Sequence, residues 1–203
     1  MSANDGDDRD PPENNSFVPV ITGTVLIGVA AFGFSMLLKT PFGGQFSLEP
    51  NDFLIGVIAT LPLVIFLWWF TNTDIGSLAA FRDSQIEFFA SLGFEFTPPR
   101  TVLMAIAAGI SEELLFRGVL MTWMQYFMPL VVAVILSNIV FGILHMRTAL
   151  YALIAGCVGV YLSILFIATG NLLAPITTHI LYDAVALEYT RRAIADARRT
   201  GAL

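Results

Sequence analysis

Charge is scarce in this chain: Asp, Glu, Lys and Arg together make up only 13% of its 203 residues, while 56% are hydrophobic. A mean hydropathy of +0.76 lies well above that of a soluble domain of this length, which excludes water as the solvent for most of the surface. Cysteine is nearly absent. The single Cys157, between Gly156 and Val158, excludes an intrachain disulfide framework and a multi-cysteine metal site and reads as a small packing residue. The N-terminus lacks the basic region and small-residue cleavage site of a secretory signal, so the first apolar run is expected to stay in the mature protein. There is no internal repeat, no second soluble domain, and none of the GxSG, GxGD or HExxH motifs by which several classes of hydrolase are recognised.

The acidity is mainly a property of one end. Five of the sixteen acids fall within Met1 to Glu13, in a stretch of Asp, Asn, Pro and Glu that cannot bury enough apolar surface to order itself. Residues 1–16 are expected to form a disordered acidic extension, and no nucleic-acid partner is expected.

A membrane-spanning helix needs about 20 mainly apolar residues. Six runs meet or approach that length: Phe17 to Leu38, Phe53 to Phe70, Thr101 to Phe127, Leu130 to Leu144, Thr148 to Thr169 and Leu173 to Ala193. The expected fold is therefore all-α, a polytopic bundle of about six transmembrane helices in the cell membrane. Residues 17–98 would hold the first two spans, 99–193 the core, and 194–203 a basic C-terminal tail. Between the second and third spans, Thr71 to Arg100 mixes apolar residues with charges as an interfacial amphipathic helix would. Because cytoplasmic loops collect Lys and Arg, both termini are expected to be cytoplasmic. Arg9, Arg82, Arg100, Arg147, Arg191, Arg192, Arg198 and Arg199 then share one side and Lys39 stands on the other. Arg117 belongs to neither side, because it lies within the third span.

A charge at the bilayer centre costs roughly 2.5–3.5 kcal/mol on insertion scales, so each needs a partner and a purpose. The third span carries Glu112, Glu113 and Arg117, with Glu113 and Arg117 one helical turn apart as an ion pair. Glu112 points about 100° away from Glu113. The fourth span ends at His145, and the sixth carries His179 and Asp183 on one face. Taken singly, each is readily a satisfied core residue. Jointly they are three helices spending insertion energy on the side chains of acid–base chemistry or metal binding. A carboxylate kept from water becomes a competent base toward a water molecule, and an adjacent imidazole can share its proton or donate to an oxyanion.

Glu112-Glu113-x-x-x-Arg117, Phe141-x-x-x-His145 and His179-x-x-x-Asp183, in that order on successive helices, resemble the CPBP family of CAAX-prenyl-protease and bacteriocin-processing type, also called Abi. The likeness runs from Arg100 to about Glu188 and includes the approach Gly170-Asn171-Leu172-Leu173-Ala174-Pro175-Ile176. It implies an intramembrane endopeptidase acting on a membrane-tethered or C-terminally lipidated peptide or protein. Glu112 would activate water beside His145, Glu113 and Arg117 would orient the site, and His179 with Asp183 would complete it or hold an oxyanion. Asp183 stands where many relatives carry Asn. Glu112, His145 and His179 also match a hydrolytic zinc set, so a divalent metal such as zinc stays open. Two other classes remain in view, a non-catalytic scaffold or immunity-type protein of the same fold, and a small transporter or proton relay.

The straight-helix layout carries one conflict. At 1.5 Å per residue, Glu113 and His145 lie about 21 Å from the outer face while His179 lies only about 10 Å from it. The expected resolution is that Thr169 to Ala174 dips into the bundle as a partly re-entrant loop, tolerated where protein buries it.

Overall fold

A computed structural model describes residues 16–201 and 203, so most of the expected acidic extension, residues 1–15, lies outside the described residues. Among those described there are helices and turns and no strands, in keeping with an all-α protein. Seven helices follow in order. They are α1 (Phe17–Leu38), α2 (Pro50–Thr71), α3 (Gly76–Ala90), α4 (residues 98–124), α5 (Leu130–Leu144), α6 (Ala149–Thr169) and α7 (Leu173–Thr200).

Three of these, α1, α2 and α6, are each long and apolar enough to cross a membrane, and α5 is a shorter apolar helix. Their outward faces carry large apolar side chains, with Leu37 73%, Trp68 67% and Val131 67% exposed. In water such a surface would aggregate; against lipid tails it is the ordinary state of a bundle. Besides clusters of buried aromatic and aliphatic side chains, the interior uses close backbone approach. A Cβ at Gly109 on α4 would stand 2.6 Å from Ile180 on α7, and one at Gly56 on α2 would stand 2.6 Å from the Ala174 carbonyl. The Thr178 hydroxyl donates to the Gly56 carbonyl at 2.9 Å, adding a polar tie where the helices come together.

Several boundaries differ from those read in the sequence. The second span begins at Pro50, because proline suits a first helical turn that has no use for its N–H. The third begins at Pro98 for the same reason. It passes into a π-helix over Leu114–Met121 and ends at Met124 rather than Phe127. The expected amphipathic helix is shorter than Thr71 to Arg100: a separate helix runs only over Gly76–Ala90. After it, Gly93 takes a positive φ of 74°, and the chain turns so that Phe94 and Phe96 bury against Ile194 of α7. That anchor, together with ion pairs from Glu188 to Arg191 and Arg192, carries α7 on to Thr200 through residues expected as a tail.

Between α6 and α7 the helical run breaks over residues 170–172, and part of the break is buried against protein. Gly170 ends α6 with a left-handed φ of 66°, and Asn171 and Leu172 are 4% and 0% exposed. Asn171 is the staple. Its Nδ2 lies within donating distance of the Ser47 carbonyl and hydroxyl, both 2.9 Å, and of Asp52 Oδ2 at 2.8 Å. Its Oδ1 accepts from the backbone N–H of Ser47 at 3.1 Å and of Leu173 at 3.0 Å. Leu172 N–H adds a bond to the Gln45 carbonyl at 2.8 Å. The start of α7 is thus fixed to the loop after α1, and that sets how far along α7 His179 sits. Asn171→Ala removes all the side-chain bonds and should cost about 2–3 kcal/mol. A lower melting temperature of the purified protein in detergent is the expected result; an unchanged melt would remove Asn171 from this role.

Candidate active site

Arg117 and Glu113 are the most deeply buried charges among the described residues, with side chains 1% and 0% exposed. A guanidinium cannot shed its proton and has five donors to satisfy, so its partners must come from several helices. Arg117 Nη1 donates to Glu113 Oε1 at 2.9 Å, Nη2 to Asn138 Oδ1 at 3.1 Å and Nε to Ser163 Oγ at 3.3 Å. Nη2 also donates to the Gly159 carbonyl, and the guanidinium lies 5.2 Å from the ring centre of Phe141. One side chain of α4 thereby holds α5 through Asn138 and Phe141, and α6 through Gly159 and Ser163. The π-helical stretch begins at Leu114, directly after Glu113. π turns are rare and favour functional sites.

Glu113 passes the connection on to α7. Its Oε1 also accepts from His179 Nδ1 at 2.8 Å, so the two histidine-bearing helices and α4 meet as the site requires. A carboxylate oxygen can only accept here, which leaves the proton on Nδ1 and turns Nε2 of His179 outward. His145 is set in the same way. Its Nδ1 donates to the Phe141 carbonyl at 2.8 Å, one turn back at the frayed end of α5, and again Nε2 is left free.

Glu112 faces away from Glu113, as the helix period demands, and looks into the space that both Nε2 atoms border. Its Oε2 lies 3.7 Å from His145 Nε2 and 4.0 Å from His179 Nε2. Asp183 Oδ2 lies 3.5 Å from His179 Nε2. These separations are too long for direct hydrogen bonds and suit a water molecule between the groups. All four residues line one cavity of about 250 Å³, otherwise walled largely by aromatic and aliphatic side chains of α2, α3, α6 and α7.

The six residues singled out in the sequence therefore divide into two layers. Glu113 and Arg117 are sealed inside the bundle, whereas Glu112, His145, His179 and Asp183 open on the cavity. Among the described residues, no group of three or more His, Cys, Asp or Glu is arranged to hold a metal ion; the expected set of Glu112, His145 and His179 stands apart at the distances just given. Sequence reading missed Asn138, Gly159 and Ser163. The signal for two of them was there, since Asn138 and Ser163 are polar side chains in otherwise apolar spans.

The fold and this cluster define a membrane protein with a buried carboxylate–imidazole site. Residues 94–185 match the model of the Rce1-like family, described as type II CAAX prenyl endopeptidase Rce1-like. A relative in Bacillus subtilis (strain 168), the uncharacterized protein YpbD, is 29% identical over 90 residues, which cover 43% of this chain and 43% of that protein. The matching part is thus less than half of either chain. No solved structure matches.

Replacing Arg117 by Ala would strand Glu113 in the bundle without its cation. Breaking a buried pair from one side costs about 3–5 kcal/mol, and Lys, lacking the planar fork, should restore little of it. Both variants are expected to give low yields of monodisperse protein and a depressed melting temperature in detergent. A wild-type melt for Arg117→Ala would contradict the pairing.

Proposed function

We propose that this protein is an intramembrane endopeptidase that hydrolyses a peptide bond in a membrane-tethered or C-terminally lipidated substrate. The observation that carries the reading is the gap bordered by Glu112 Oε2, His145 Nε2, His179 Nε2 and Asp183 Oδ2, with separations of 3.5–4.0 Å inside a largely apolar cavity. The family description of the matched segment supports the same chemistry.

In this mechanism a water molecule occupies the gap. Glu112 takes its proton as the water oxygen attacks the substrate carbonyl, and His145 steadies the same water through Nε2. His179 in its protonated form donates from Nε2 to the oxyanion as it develops. Its Nδ1–H is already committed to Glu113, so the ring cannot turn away, and Asp183 flanks the charge from the next turn of α7. Collapse of the tetrahedral intermediate breaks the C–N bond, and the proton held by Glu112 passes to the leaving nitrogen. Glu113 and Arg117 touch no reacting atom and are positioning residues. A metal held by Glu112, His145 and His179 would polarise the carbonyl and the water, and would require those side chains to close in from their present spacing.

We place the protein in the cell membrane with six spans and both termini cytoplasmic. The lipid bilayer would surround α1, α2, α4, α5, α6 and the apolar part of α7, with α3 lying at the interface. The fifteen residues of α5 extend only about 22 Å, less than the hydrocarbon thickness of about 30 Å. His145, at its end, would therefore lie below the membrane surface.

Glu112→Gln keeps the shape and removes the base, and should lower cleavage of a membrane-protein or peptide library by at least about 100-fold with the melt unchanged. Parallel reactions with a chelator decide on metal. Wild-type protein that cleaves nothing in any lipid or metal condition would favour a non-catalytic binding protein of the same fold.

A further inference from the structure

The cavity of the site has one wall that the core of the bundle does not lock in place. Phe81, Arg82, Gln85, Ile86 and Phe89 of α3 line it, so this helix covers the space that holds Glu112, His145, His179 and Asp183. Among the described residues, α3 alone of the seven helices has no buried residue. Its two edges are held differently. Toward α7, Ile86, Phe89 and Ala90 pack on the buried cluster of Phe94, Phe96 and Ile194, and Gly93 supplies the left-handed turn that follows. The start of α3 is tied to the end of α2 by Arg82 Nη1, which donates to the Thr71 carbonyl at 2.8 Å. The opposite edge meets the loop between α5 and α6, where the polar contacts come from Arg147, an exposed residue. Arg147 Nη1 donates to Gln85 Oε1 at 2.6 Å and Nη2 to the Ser84 carbonyl at 3.2 Å, while the guanidinium lies 3.6 Å from the ring centre of Phe88. A ring contact between Phe81 and Tyr151, 6.2 Å between centroids, completes this edge. The closed position has a cost. With Oε1 accepting from Arg147, Gln85 turns its Nε2 the other way, buried and without a hydrogen-bond partner, a donor that water would satisfy once the edge lifts.

We propose that α3 is a hinged roof over the cavity, latched at one edge by Arg147, and that the site is reached from water when this edge lifts. The apolar cluster at the α7 edge is the hinge and keeps the roof attached. The latch is built to part. Its acceptors are a neutral amide and a backbone carbonyl, and its cation is already exposed, so releasing it strands no charge in the interior. Arg117 is the opposite case, a buried cation that cannot let go of its helices. The latch also belongs to the loop that carries a site histidine: Arg147 follows His145 by two residues, and its backbone N–H donates to the His145 carbonyl at 2.9 Å. Lifting the edge therefore opens the cavity beside His145. Shut, the roof sets Phe81, Ile86 and Phe89 between the polar groups and bulk water. The inference holds for any ligand of the cavity, whether or not a bond is cut there.

Access to the cavity tests the roof without any cleaved substrate. Ala186 lines the cavity from α7, and Ala186→Cys in a Cys157→Ser background places one thiol there. The rate at which a charged, water-borne methanethiosulfonate reagent labels that thiol is measured on the purified, detergent-solubilised protein, beside hydrogen–deuterium exchange of the backbone. Arg147→Gln should raise the labelling rate about ten- to a hundredfold, the worth of a charge-assisted hydrogen bond. Exchange should quicken over residues 76–90 while α4 to α7 exchange as before. Gln85→Ala parts the same latch from the α3 side and should also speed labelling, so the test stands if one variant fails to fold. Arg147→Lys, without the planar fork, should fall between. A labelling rate untouched by Arg147→Gln and Gln85→Ala overturns the roof. Faster exchange spread through α4 to α7 overturns it too, by making Arg147 a general support of the fold. So does labelling that, with Arg147 intact, is already as fast as at an exposed Ser77→Cys control.

Discussion

A guanidinium buried in a membrane bundle presents five N–H donors, and Arg117 makes four hydrogen bonds with them on three helices at once. Glu113 of its own helix, Asn138 of α5, and Gly159 and Ser163 of α6 satisfy it. The second acceptance at Glu113 Oε1, from His179, brings in α7. Because breaking such a buried pair is costly, these contacts tie the four helices together at one point. The rest of the core is compatible with that constraint. Glycines at the crossings let backbones approach, and the Asn171 staple sets the starting point of α7 so that His179 arrives opposite Glu113.

Adjacent glutamates on one helix acquire different work from this arrangement. Glu113 turns inward, is fully enclosed, and spends its charge on Arg117 and on orienting an imidazole. Glu112, about 100° around the helix, is left with no direct partner and looks into a cavity where a water and a peptide would meet. A site of this kind separates what must be rigid from what must react. The two histidines repeat the pattern, each anchored through Nδ1 and each offering Nε2.

The all-helical fold and the apolar spans were legible because hydropathy and helix length speak directly to a bilayer. The six polar residues were legible because each is expensive inside the membrane. The break before α7 was legible from Gly170, Asn171 and Pro175, which suit an interruption between helices. Less was legible where a tertiary contact overrides a local pattern. The turn after α3 depends on Phe94 and Phe96 finding Ile194, and the C-terminal extension of α7 depends on the same contact. Asn138 and Ser163 are common helix residues whose meaning comes only from Arg117, and Gly159 contributes a carbonyl and room for it. The π-helical stretch has no sequence signature.

In the proposed mechanism Glu113 acts on the reaction only through His179. A double-mutant cycle on peptide cleavage with Glu113→Gln, His179→Gln and the pair addresses it directly, once all three proteins melt alike. If Glu113 does no more than hold the imidazole, the double variant should cleave no more slowly than His179→Gln alone. Losses that simply multiply would give Glu113 an independent part in the chemistry and contradict the account.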